Sequence, residues 1–373
     1  MKTLDQISTN LDSRRVPITK GVRIGGEYPY YGASGIVDYV ADYIFDEDAL
    51  LISEDGANLL ARSTPIAFPA SGKYWVNNHA HILKFENLTT QRLVELYLES
   101  TSLDEYITGA AQPKLNQKAL NSIPIPVPPL PEQRRIVGLL DEAFAGIASA
   151  KANAEQNLHN ARALFDSHLY ATLLNKKWKW KTLGDLCHGV EYGSSSKSKK
   201  EGKVPVLRMG NIQDGHLDWE NLVYTNDKDE IEKYLLKYND VLFNRTNSPE
   251  LVGKTAIYKS EMPAIFAGYL IRIHRKEDLL DGDFLNYFLN SQIALDYGKT
   301  VVISSVNQAN INGAKLKGYP IPTPSISDQR TIVKNLDAIS AETQRLESIY
   351  KQKLAALEAL KKSLLHLAFT GNL

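Results

Sequence analysis

The chain has 373 residues, which is more than one hydrophobic core usually holds, so its length favours two or three domains. Hydrophobic residues make up 43% of it, and no apolar run approaches the ~20 residues of a membrane helix, so we expect a cytoplasmic protein with no secretion signal and no membrane contact. Its 43 basic and 43 acidic residues argue against binding of nucleic acid by bulk charge alone, so selected groups or a partner's charge would be needed.

The first part of the chain, residues 1–123, alternates short apolar runs with turns. Strands are predicted at residues 37–40, 49–53 and 81–85, and a short helix is predicted near residues 92–100. This pattern is typical of a mixed α+β domain.

A glycine-rich segment with three tyrosines occupies residues 25–35. Its glycine spacing is not that of a dinucleotide-binding loop, and no acidic residue stands at a suitable strand end. Two interpretations stay open. The segment is either a turn that presents tyrosines such as Tyr31 and backbone amides to a polyanion, or a β-rich turn that packs its aromatic rings inward.

Two further polar segments of this region, residues 53–58 and 77–81, are candidates for contact with a ligand. His79 and His81 could bind a metal, but no cysteine or carboxylate cluster follows at a useful spacing, so we expect no metal site. Asn77 and His79 are suited to hydrogen bonds with base edges, although Asn and His are also common in turns.

Self-similarity at a shift of 196 residues divides the chain into two tandem copies. Residues 124–137 (PIPVPPLPEQRRIV) recur as residues 320–333 (PIPTPSISDQRTIV), and Gln112 and Asn116 fall on Gln308 and Asn312. Such repeats indicate a duplicated structural unit. The predicted organisation is a domain at 1–123, a proline run and central helix at 124–175, a second domain at 176–319, and a proline run and distal helix at 320–373.

A long helix is predicted after each proline run, because residues 132–173 and 325–373 contain no proline and are rich in helix-forming residues. Pro131 suits the first turn of the first helix, and Ser327 can cap the second. Apolar residues recur in alternating steps of four and three, the spacing of a coiled-coil seam, and both seams share one register. The seam positions are Ile136, Leu140, Ile147 and Leu164 in the first helix, and Ile332, Leu336, Ile339, Leu346, Leu357, Leu360 and Leu364 in the second.

The two helices, each of about 40 residues, are too long for an ordinary globular core, so we expect them to pack on each other. Antiparallel pairing would close the duplicated chain on itself and place the two domains at opposite ends under pseudo-twofold symmetry. The alternative is two unrelated surface helices, which the shared register of the seams argues against.

The second globular region, residues 176–319, shows the same alternation of strands and turns. Strands are predicted at residues 240–243, 255–258 and 269–273, with a short helix near residues 283–290. The single cysteine, Cys187, excludes an internal disulfide and a structural zinc site, and we expect it to be buried. The two domains diverge in sequence far more than the helices, which suggests that one shared architecture recognises two different ligands.

Basic and amide-rich segments of this second region are candidates for phosphate and base contacts. Residues 176–181 alternate Lys with Trp, although we favour a linker there, and the loop 193–200 is basic and contains Lys199. Residues 243–248 follow a strand and include Arg245 and Asn247, whose side chains can pair with purine edges.

Catalytic motifs are missing from the sequence. The Gly253-Lys254-Thr255 tripeptide looks like the end of a P-loop, but Ser248 stands where the first glycine belongs. There is no Asn/Asp-Pro-Pro-aromatic motif of an amino-methyltransferase, and no Pro-Asp partner precedes the nuclease-like Glu201-Gly202-Lys203. We therefore expect no catalytic residue and no enzymatic activity in this chain.

With these features, the sequence resembles the specificity subunits of type I restriction-modification systems over essentially its whole length. The most specific matches are the two proline runs with residues 132–134 and 328–330, the segment 112–116 and the C-terminal residues 367–373. The resemblance implies an α+β protein in which two target-recognition domains each read one half of a split, asymmetric double-stranded DNA site. It also implies that the antiparallel coiled-coil helices set the spacing and dock two methyltransferase subunits.

By the same resemblance, S-adenosylmethionine would bind to the methyltransferase subunits, and ATP and Mg would bind to the endonuclease subunits that join for restriction. This chain would hold neither cofactor nor metal. Residues 164–169 are less apolar than their counterpart in the second helix, so the two docking surfaces need not be equivalent.

The candidate DNA contacts are chosen by side-chain chemistry and loop position. They are Tyr31, Asn77, His79, Lys114, Lys199, Arg208, Arg245, Asn247 and Gln308. Two alternative functions stay open. A coiled-coil scaffold with two protein-binding domains would show no DNA preference, and a self-contained DNA enzyme would need a cofactor or metal site.

Overall fold

The computed structural model describes residues 1–109, 111–175, 177–305 and 308–373. The chain divides into two compact units, Met1–Glu155 with Gln352–Leu373, and Gln156–Lys351. Each unit contains one globular domain and a part of each of two long helices. Within these described ranges, we find no helix that combines the length and the apolar character needed to span a membrane.

The globular domain of the first unit contains two sheets and several short helices. Its strands are β1 (Lys2–Thr3), β2 (Ser8–Asn10), β3 (Gly25–Gly32), β4 (Gly35–Val40), β5 (Phe45–Asp46), β6 (Ala49–Ser53), β7 (Ala67–Ala70), β8 (Lys73–Val76), β9 (Ala80–Phe85) and β10 (Pro124–Ile125). Its helices are α1 (Asn58–Ala61), α2 (Leu88–Ser100) and α3 (Gln117–Asn121), after which the long helix α4 (Leu130–Leu173) begins.

An antiparallel sheet in the strand order β2-β9-β6-β7 forms the centre of this domain. All five residues of β6 are buried, which explains why this strand is a continuous apolar run rather than an alternation. Leu50 and Leu83 face α2, whereas Leu51 and Ile82 face the second sheet. That second sheet has the order β4-β3-β8-β5, with β3 antiparallel to β4 and parallel to β8.

The second unit contains the other globular domain. Its strands are β11 (Trp180–Thr182), β12 (Cys187–Tyr192), β13 (Val204–Leu207), β14 (Ile212–Gln213), β15 (His216–Leu217), β16 (Val223–Thr225), β17 (Val241–Asn244), β18 (Thr246–Asn247), β19 (Thr255–Ile257), β20 (Ile265–Phe266), β21 (Leu270–Arg275), β22 (Ile303–Ser305), β23 (Gln308–Asn310) and β24 (Pro320–Pro322). Its helices are α5 (Leu183–Leu186), α6 (Lys228–Tyr234), α7 (Gly282–Leu289), α8 (Gln292–Val301) and α9 (Gly313–Lys317), followed by the long helix α10 (Ile326–Thr370).

The two domains share one topology. The central sheet of the second domain, β12-β21-β17-β19, repeats the antiparallel order of the first, and β13 pairs antiparallel with β16 and parallel with β20. The first strand of each domain pairs with its proline run, β1 with β10 and β11 with β24. The tandem repeat therefore includes the globular domains, whose sequences have diverged, and the predicted α+β tandem architecture is confirmed.

Most of the predicted secondary structure is confirmed. The predicted strands lie in β4, β6, β9, β17, β19 and β21, and the short helices are α2 and α7. Cys187 is buried, and burial raises the pKa of its thiol. The predicted cap of the second long helix is wrong: Ser325, not Ser327, precedes α10, and its Oγ accepts the Asp328 N–H at 3.2 Å.

Inside each unit, the parts of α4 and α10 run antiparallel. In the first unit, Ile136 and Leu140 belong to one apolar cluster with Leu365 and Ala368, and further along the helix Lys151 Nζ lies 2.8 Å from Glu358 Oε1. In the second unit, Arg162 Nε lies 2.7 Å from Glu347 Oε1, and beyond it Leu169 and Leu173 share a core with Leu336.

The buried stripe follows the predicted seam in the first half of each helix, and beyond that every second position shifts by one residue, whereas Leu357 and Leu364 keep their places. In α4 it passes from Ala154 to Leu158 and Phe165, and in α10 it passes from Tyr350 to Leu354 and Lys361. Ala154 and Tyr350 are 196 residues apart, so the extra step of four occurs at the same point of both repeats. Leu164 and Leu360 are consequently 68% and 47% exposed, and their predicted place in the seam is corrected.

The shift has a simple geometric cause. Alternating steps of four and three have a period of 3.5 residues, whereas an α-helix has 3.6 residues per turn, so the seam drifts by ~20° per heptad. An additional step of four returns the apolar stripe to the buried face. Of the other predicted seam residues, Ile136, Leu140 and Leu336 are buried and Ile147, Ile332, Ile339, Leu346, Leu357 and Leu364 are half-buried.

Candidate nucleic-acid interface

Three polar segments of the first domain, distant in sequence, meet at one end of its central sheet. Glu54 follows β6, and its backbone N–H donates to the carbonyl of His79 at 2.9 Å. The carbonyl of Glu54 accepts from the N–H of Leu115 at 2.8 Å. We call residues 53–56, 77–79 and 112–116 the first loop cluster.

Two predicted base contacts of this cluster differ in exposure. Asn77 is buried. Its backbone N–H donates to the carbonyl of Tyr31 at 3.0 Å, and its Oδ1 accepts from the His79 N–H at 2.7 Å. The side chain of His79 is 47% exposed, and its Nδ1 lies 2.9 Å from the Asp55 carboxylate. Asn77 therefore shapes the turn, while His79 presents its ring to solvent.

Tyr31, the third predicted contact, packs inward. Its ring stacks on Phe68 with centres 6.0 Å apart and meets Tyr74 edge-on at 5.7 Å. Burial raises the pKa of Tyr31. Tyr30 is also buried, so inward packing describes these two tyrosines, whereas Tyr39 of the neighbouring strand is exposed.

A buried charged network lies beside the first loop cluster. His81 Nδ1 is 2.5 Å from Asp12 Oδ2, and His81 Nε2 is 2.7 Å from the carbonyl of Leu115. Burial alone would raise the pKa of Asp12, but the hydrogen bond and charge of His81 hold it below its usual range. Both ring nitrogens of His81 are thus engaged, one with a carboxylate oxygen and the other with a carbonyl oxygen.

Glu54 is the second carboxylate of this network. Arg15 Nη1 lies 2.6 Å from Glu54 Oε2, and Lys114 Nζ lies 3.1 Å from Oε1. Burial again raises the pKa of the group, but Arg15 and the charge of His81 outweigh it and the pKa of Glu54 is lowered. The half-exposed Lys114, a predicted DNA contact, thus connects the network to the surface.

The network has the compactness of a metal site, because Asp12, Glu54 and His81 place ligand atoms within 4.8 Å of one another. Sequence spacing could not reveal it, since Asp12 follows β2, Glu54 follows β6 and His81 lies in β9. Its chemistry is unfavourable for a metal, because both His81 nitrogens are already engaged with oxygen atoms of the protein and Arg15 and Lys114 already neutralise Glu54. The cluster is better explained as a charge-balanced structural network.

The corresponding segments of the second domain also meet. Arg245 follows β17 as Glu54 follows β6, and its carbonyl accepts from the N–H of Ile311 at 2.9 Å. Leu115 and Ile311 are 196 residues apart, so Glu54 and Arg245 hold the same position in the repeated fold. We call residues 244–248 and 308–312 the second loop cluster. It contains the predicted contacts Arg245, Asn247 and Gln308, which β18 and β23 bring together.

The guanidinium of Arg245 is held in place but not fully paired. Its Cζ lies 4.8 Å from the ring centre of Tyr192, and Nη1 donates to the carbonyl of Gly268 at 3.2 Å. Its Nε is buried and has no hydrogen-bond partner among the described residues. A buried donor left in this way costs about 1–3 kcal/mol, so Arg245 is suited to an acceptor that a ligand supplies.

Lys199 and Arg208 lie near the smaller sheet of the second domain. Lys199 exchanges two backbone hydrogen bonds with Tyr224, each of 2.8 Å, and its side chain is exposed. Arg208 is exposed as well, and its Nη2 donates to the carbonyl of Asn221 at 2.8 Å. In the basic run 176–181, residue 176 lies outside the described residues and Trp180 begins β11.

A family model described as the type I restriction modification DNA specificity domain matches residues 1–158 and 175–358. The chain belongs to this family. One matched range falls in each copy of the tandem repeat, and the resemblance inferred from the sequence is confirmed.

Individual relatives carry names of the same kind. The type I restriction enzyme EcoKI specificity subunit of Escherichia coli K12 is 27% identical over 71% of this chain and 61% of its own length. The MjaVIII specificity subunit of Methanocaldococcus jannaschii is 23% identical over 93% of this chain and 86% of its own length. A Haemophilus influenzae protein with the provisional name of a type I specificity subunit is 26% identical over 92% of this chain and 88% of its own length.

Solved structures share the fold. One solved structure addresses complex assembly and conformational transition in a type I restriction-modification system. A chain in that structure matches this chain with a TM-score of 0.75 at 17% identity. The alignment covers 100% of this chain and 97% of that chain. The HsdS subunit of Thermoanaerobacter tengcongensis has a TM-score of 0.57 at 17% identity, over 100% of this chain and 96% of that one.

Proposed function

We propose that this chain is the DNA-recognition subunit of a type I restriction-modification complex, and that each domain reads one half of a split, asymmetric site. The observation that carries the proposal is the shared position of Glu54 and Arg245 in two copies of one fold. A carboxylate accepts hydrogen bonds and a guanidinium donates them, so the two copies place opposite chemistry at one position, and the side chains that stay open around that position differ. Two such domains would select two different base sequences.

The polar side chains open to DNA differ between the two loop clusters. In the first, Arg15 and Lys114 cover Glu54, which leaves His79 and the half-exposed Lys114 at the surface. In the second, Arg245 retains an unpaired buried donor and Asn247 stands beside it in the chain. We assign these groups to base edges and assign the exposed Lys199 and Arg208 to phosphates.

As a specificity subunit, the chain is non-catalytic and binds no cofactor itself. Methylation and cleavage therefore belong to partner subunits. We assign two methyltransferase subunits, which would hold S-adenosylmethionine, to the surfaces of α4 and α10, and we assign ATP and Mg to endonuclease subunits. The complex would act on DNA in the cytoplasm.

The deciding experiment is a genome-wide map of N6-methyladenine in cells that express this chain with its cognate methyltransferase subunit. Cells that express the methyltransferase alone are the control. A split motif that is present only with this chain is the expected result, and it would identify both half-sites at once. Absence of a new motif, with the complex shown to assemble, would contradict the proposal and favour a scaffold.

A further inference from the structure

A ten-residue motif begins both long helices. Residues 132–141 (EQRRIVGLLD) and 328–337 (DQRTIVKNLD) share a Gln at the second position and an Asp at the tenth. Between them, the fifth and ninth positions are Ile and Leu, so the four residues lie on one face of the helix. This face of α4 and α10 contacts the domain of the same unit, through α2 in the first and α7 in the second.

Gln133 joins three parts of the first unit. It is buried, its Nε2 donates to the carbonyl of Pro128 at 2.8 Å, and its Oε1 accepts from the hydroxyl of Thr90 at 2.8 Å. The Pro128 carbonyl can only accept, so the amide cannot be reversed, and the oxygen must face Thr90. Gln133 therefore ties the proline run and α4 to the first turn of α2.

Gln329 makes the equivalent connection in the second unit. It is fully buried, and its Nε2 donates to the carbonyls of Pro324 at 3.0 Å and Leu279 at 2.8 Å. Its Oε1 accepts from the backbone N–H of Asp281, the residue that caps α7, at 2.8 Å. Pro128 and Pro324 are 196 residues apart, so both glutamines hold the same carbonyl of the repeat.

The aspartates make a second connection eight residues later. In the first unit, Arg92 of α2 donates to Asp141 Oδ1 from Nε at 2.9 Å and from Nη2 at 2.7 Å. In the second unit, the hydroxyl of Tyr287 in α7 donates to Asp337 Oδ1 at 2.7 Å. The partner side chains differ, but the helix position is the same, and eight residues of helix separate the two connections by about 12 Å.

Two connections at this separation fix the angle between the domain helix and the long helix. The domain helix could turn about one hydrogen-bonded attachment, whereas two directional attachments define its orientation. The helices α2 and α7 follow β9 and β21 of the central sheets, and the loop clusters lie beside the opposite, N-terminal ends of these two strands. The orientation of each loop cluster on its long helix thus depends on these pairs.

We propose that Gln133 with Asp141, and Gln329 with Asp337, are positioning residues that restrict the complex to one gap length between the half-sites. The inference rests on the proposed function. Successive base pairs are about 3.4 Å apart, so a recognition loop must be held within a fraction of that distance to reject a site with one base pair more or fewer. Loss of one connection would widen the accepted range of gaps and leave both half-site sequences unchanged.

The test uses the assembled complex of this chain with its methyltransferase subunits. The variants are Thr90→Val and Tyr287→Phe, which each remove one hydroxyl and retain the shape of the side chain. Methylation rates are compared on duplexes that carry the wild-type half-sites with the native gap, one base pair fewer or one base pair more. We divide the methylation rate on each altered-gap duplex by the rate on the native-gap duplex. This ratio should rise about fivefold in each variant, which is the equilibrium factor of one net hydrogen bond.

Thr90→Ser and Asp337→Asn are the matched controls, because the first keeps a donor hydroxyl and the second keeps an acceptor oxygen opposite Tyr287. Both should retain the wild-type ratio. A merely structural role would lower the melting temperature and all three rates together, and an unchanged ratio in the two loss variants would overturn the proposal. If the wild-type complex methylates no split site, the proposed function itself fails, which is a separate outcome.

Discussion

Phe165 of α4 packs against Tyr287 of α7, with ring centres 6.2 Å apart and planes inclined by 48°. The neighbouring Leu164 is largely exposed, although the spacing of the apolar residues placed it in the seam. The side chain that attaches this part of α4 to the second domain is therefore the aromatic one.

Substitution of these two neighbours tests the shifted stripe. Phe165→Ala should lower the free energy of unfolding of the second unit by about 2 kcal/mol, roughly half the cost for a fully buried phenylalanine. Leu164→Ala should change it by no more than about 0.5 kcal/mol, because the side chain contributes little buried area. Urea midpoints measured on the full chain would distinguish the two variants. A larger loss of stability for Leu164→Ala than for Phe165→Ala would support the strict heptad seam instead.

The buried network of the first domain predicts sensitivity to acid. The pKa values of Asp12 and Glu54 are lowered in the folded state, so the unfolded state binds more protons in acid. Their stabilising contribution should be complete above about pH 5 and should disappear as the pH falls through about 4 and below. Unfolding followed by tryptophan fluorescence between pH 3 and 7 is the measurement.

Asp12→Asn should destabilise the first unit by about 3 kcal/mol at pH 7, because it removes the buried carboxylate that pairs with Arg15 and His81. The substitution should also reduce the loss of stability of the first unit as the pH falls. Glu342→Gln, at an exposed ion pair with Arg345 on α10, is the matched control and should have little effect. An acid dependence unchanged by Asp12→Asn would show that the network does not cause it.

Arg245 should determine part of one half-site. Arg245→Ala is expected to reduce discrimination at one base pair by about 5- to 150-fold, the range for a bidentate contact of about 1–3 kcal/mol. Arg245→Lys retains the charge but loses the planar fork, so it should relax the same position. Both motifs can be read from methylome maps. If Lys supports the wild-type motif, Arg245 contacts a phosphate instead.

Lys199 should contribute to affinity without sequence preference. Lys199→Gln is expected to weaken binding of the complex to cognate and scrambled duplexes by the same factor, and to reduce the slope of log K against log salt concentration by about 1. Fluorescence anisotropy over a salt series would measure this. A loss confined to the cognate duplex would place Lys199 at a base edge.

The long helices should set the length of the gap. Insertion of four residues after Ala154 and four after Tyr350 adds about 6 Å to each helix, close to one turn, at the point where both stripes already contain an extra step of four. We expect a gap longer by about one or two base pairs with both half-sites unchanged. An unchanged gap would show that the helices do not measure the site.

Secondary structure was predictable where the apolar residues are strongly periodic and prolines mark the boundaries. The prolines that precede α4 and α10, and the absence of proline beyond their first turns, identified both helices because these signals act over a few neighbouring residues. The position of the seam in the second half of each helix was not predictable from a strict heptad. The difference between 3.5 and 3.6 residues per turn accumulates with length, and packing decides where it is corrected.

The candidate site was predictable only as a set of segments. Asn77, His79, Lys114 and Arg245 were selected for side-chain chemistry. Asp12 and Arg15 gave no signal, and the ion pairs of Glu54 in the candidate segment 53–58 could not be foreseen, because the partners across these contacts are remote in sequence. Gln133 and Gln329 were visible as repeated residues. Their role became evident only when the polar groups that they join, Thr90 and Asp281, were located.

The sequence by itself determined the tandem repeat, the two long helices and the apolar stripe in the first half of each, and several central strands, since these depend on local propensity and periodicity. Tertiary structure alone decided which side chains are covered and which stay open. It placed Asn77 in a turn, His81 in a salt-bridged network, and Arg245 beside Tyr192 with one donor unpaired. The physical reason is that burial and hydrogen bonding depend on partners brought from far along the chain, and no local pattern specifies those partners.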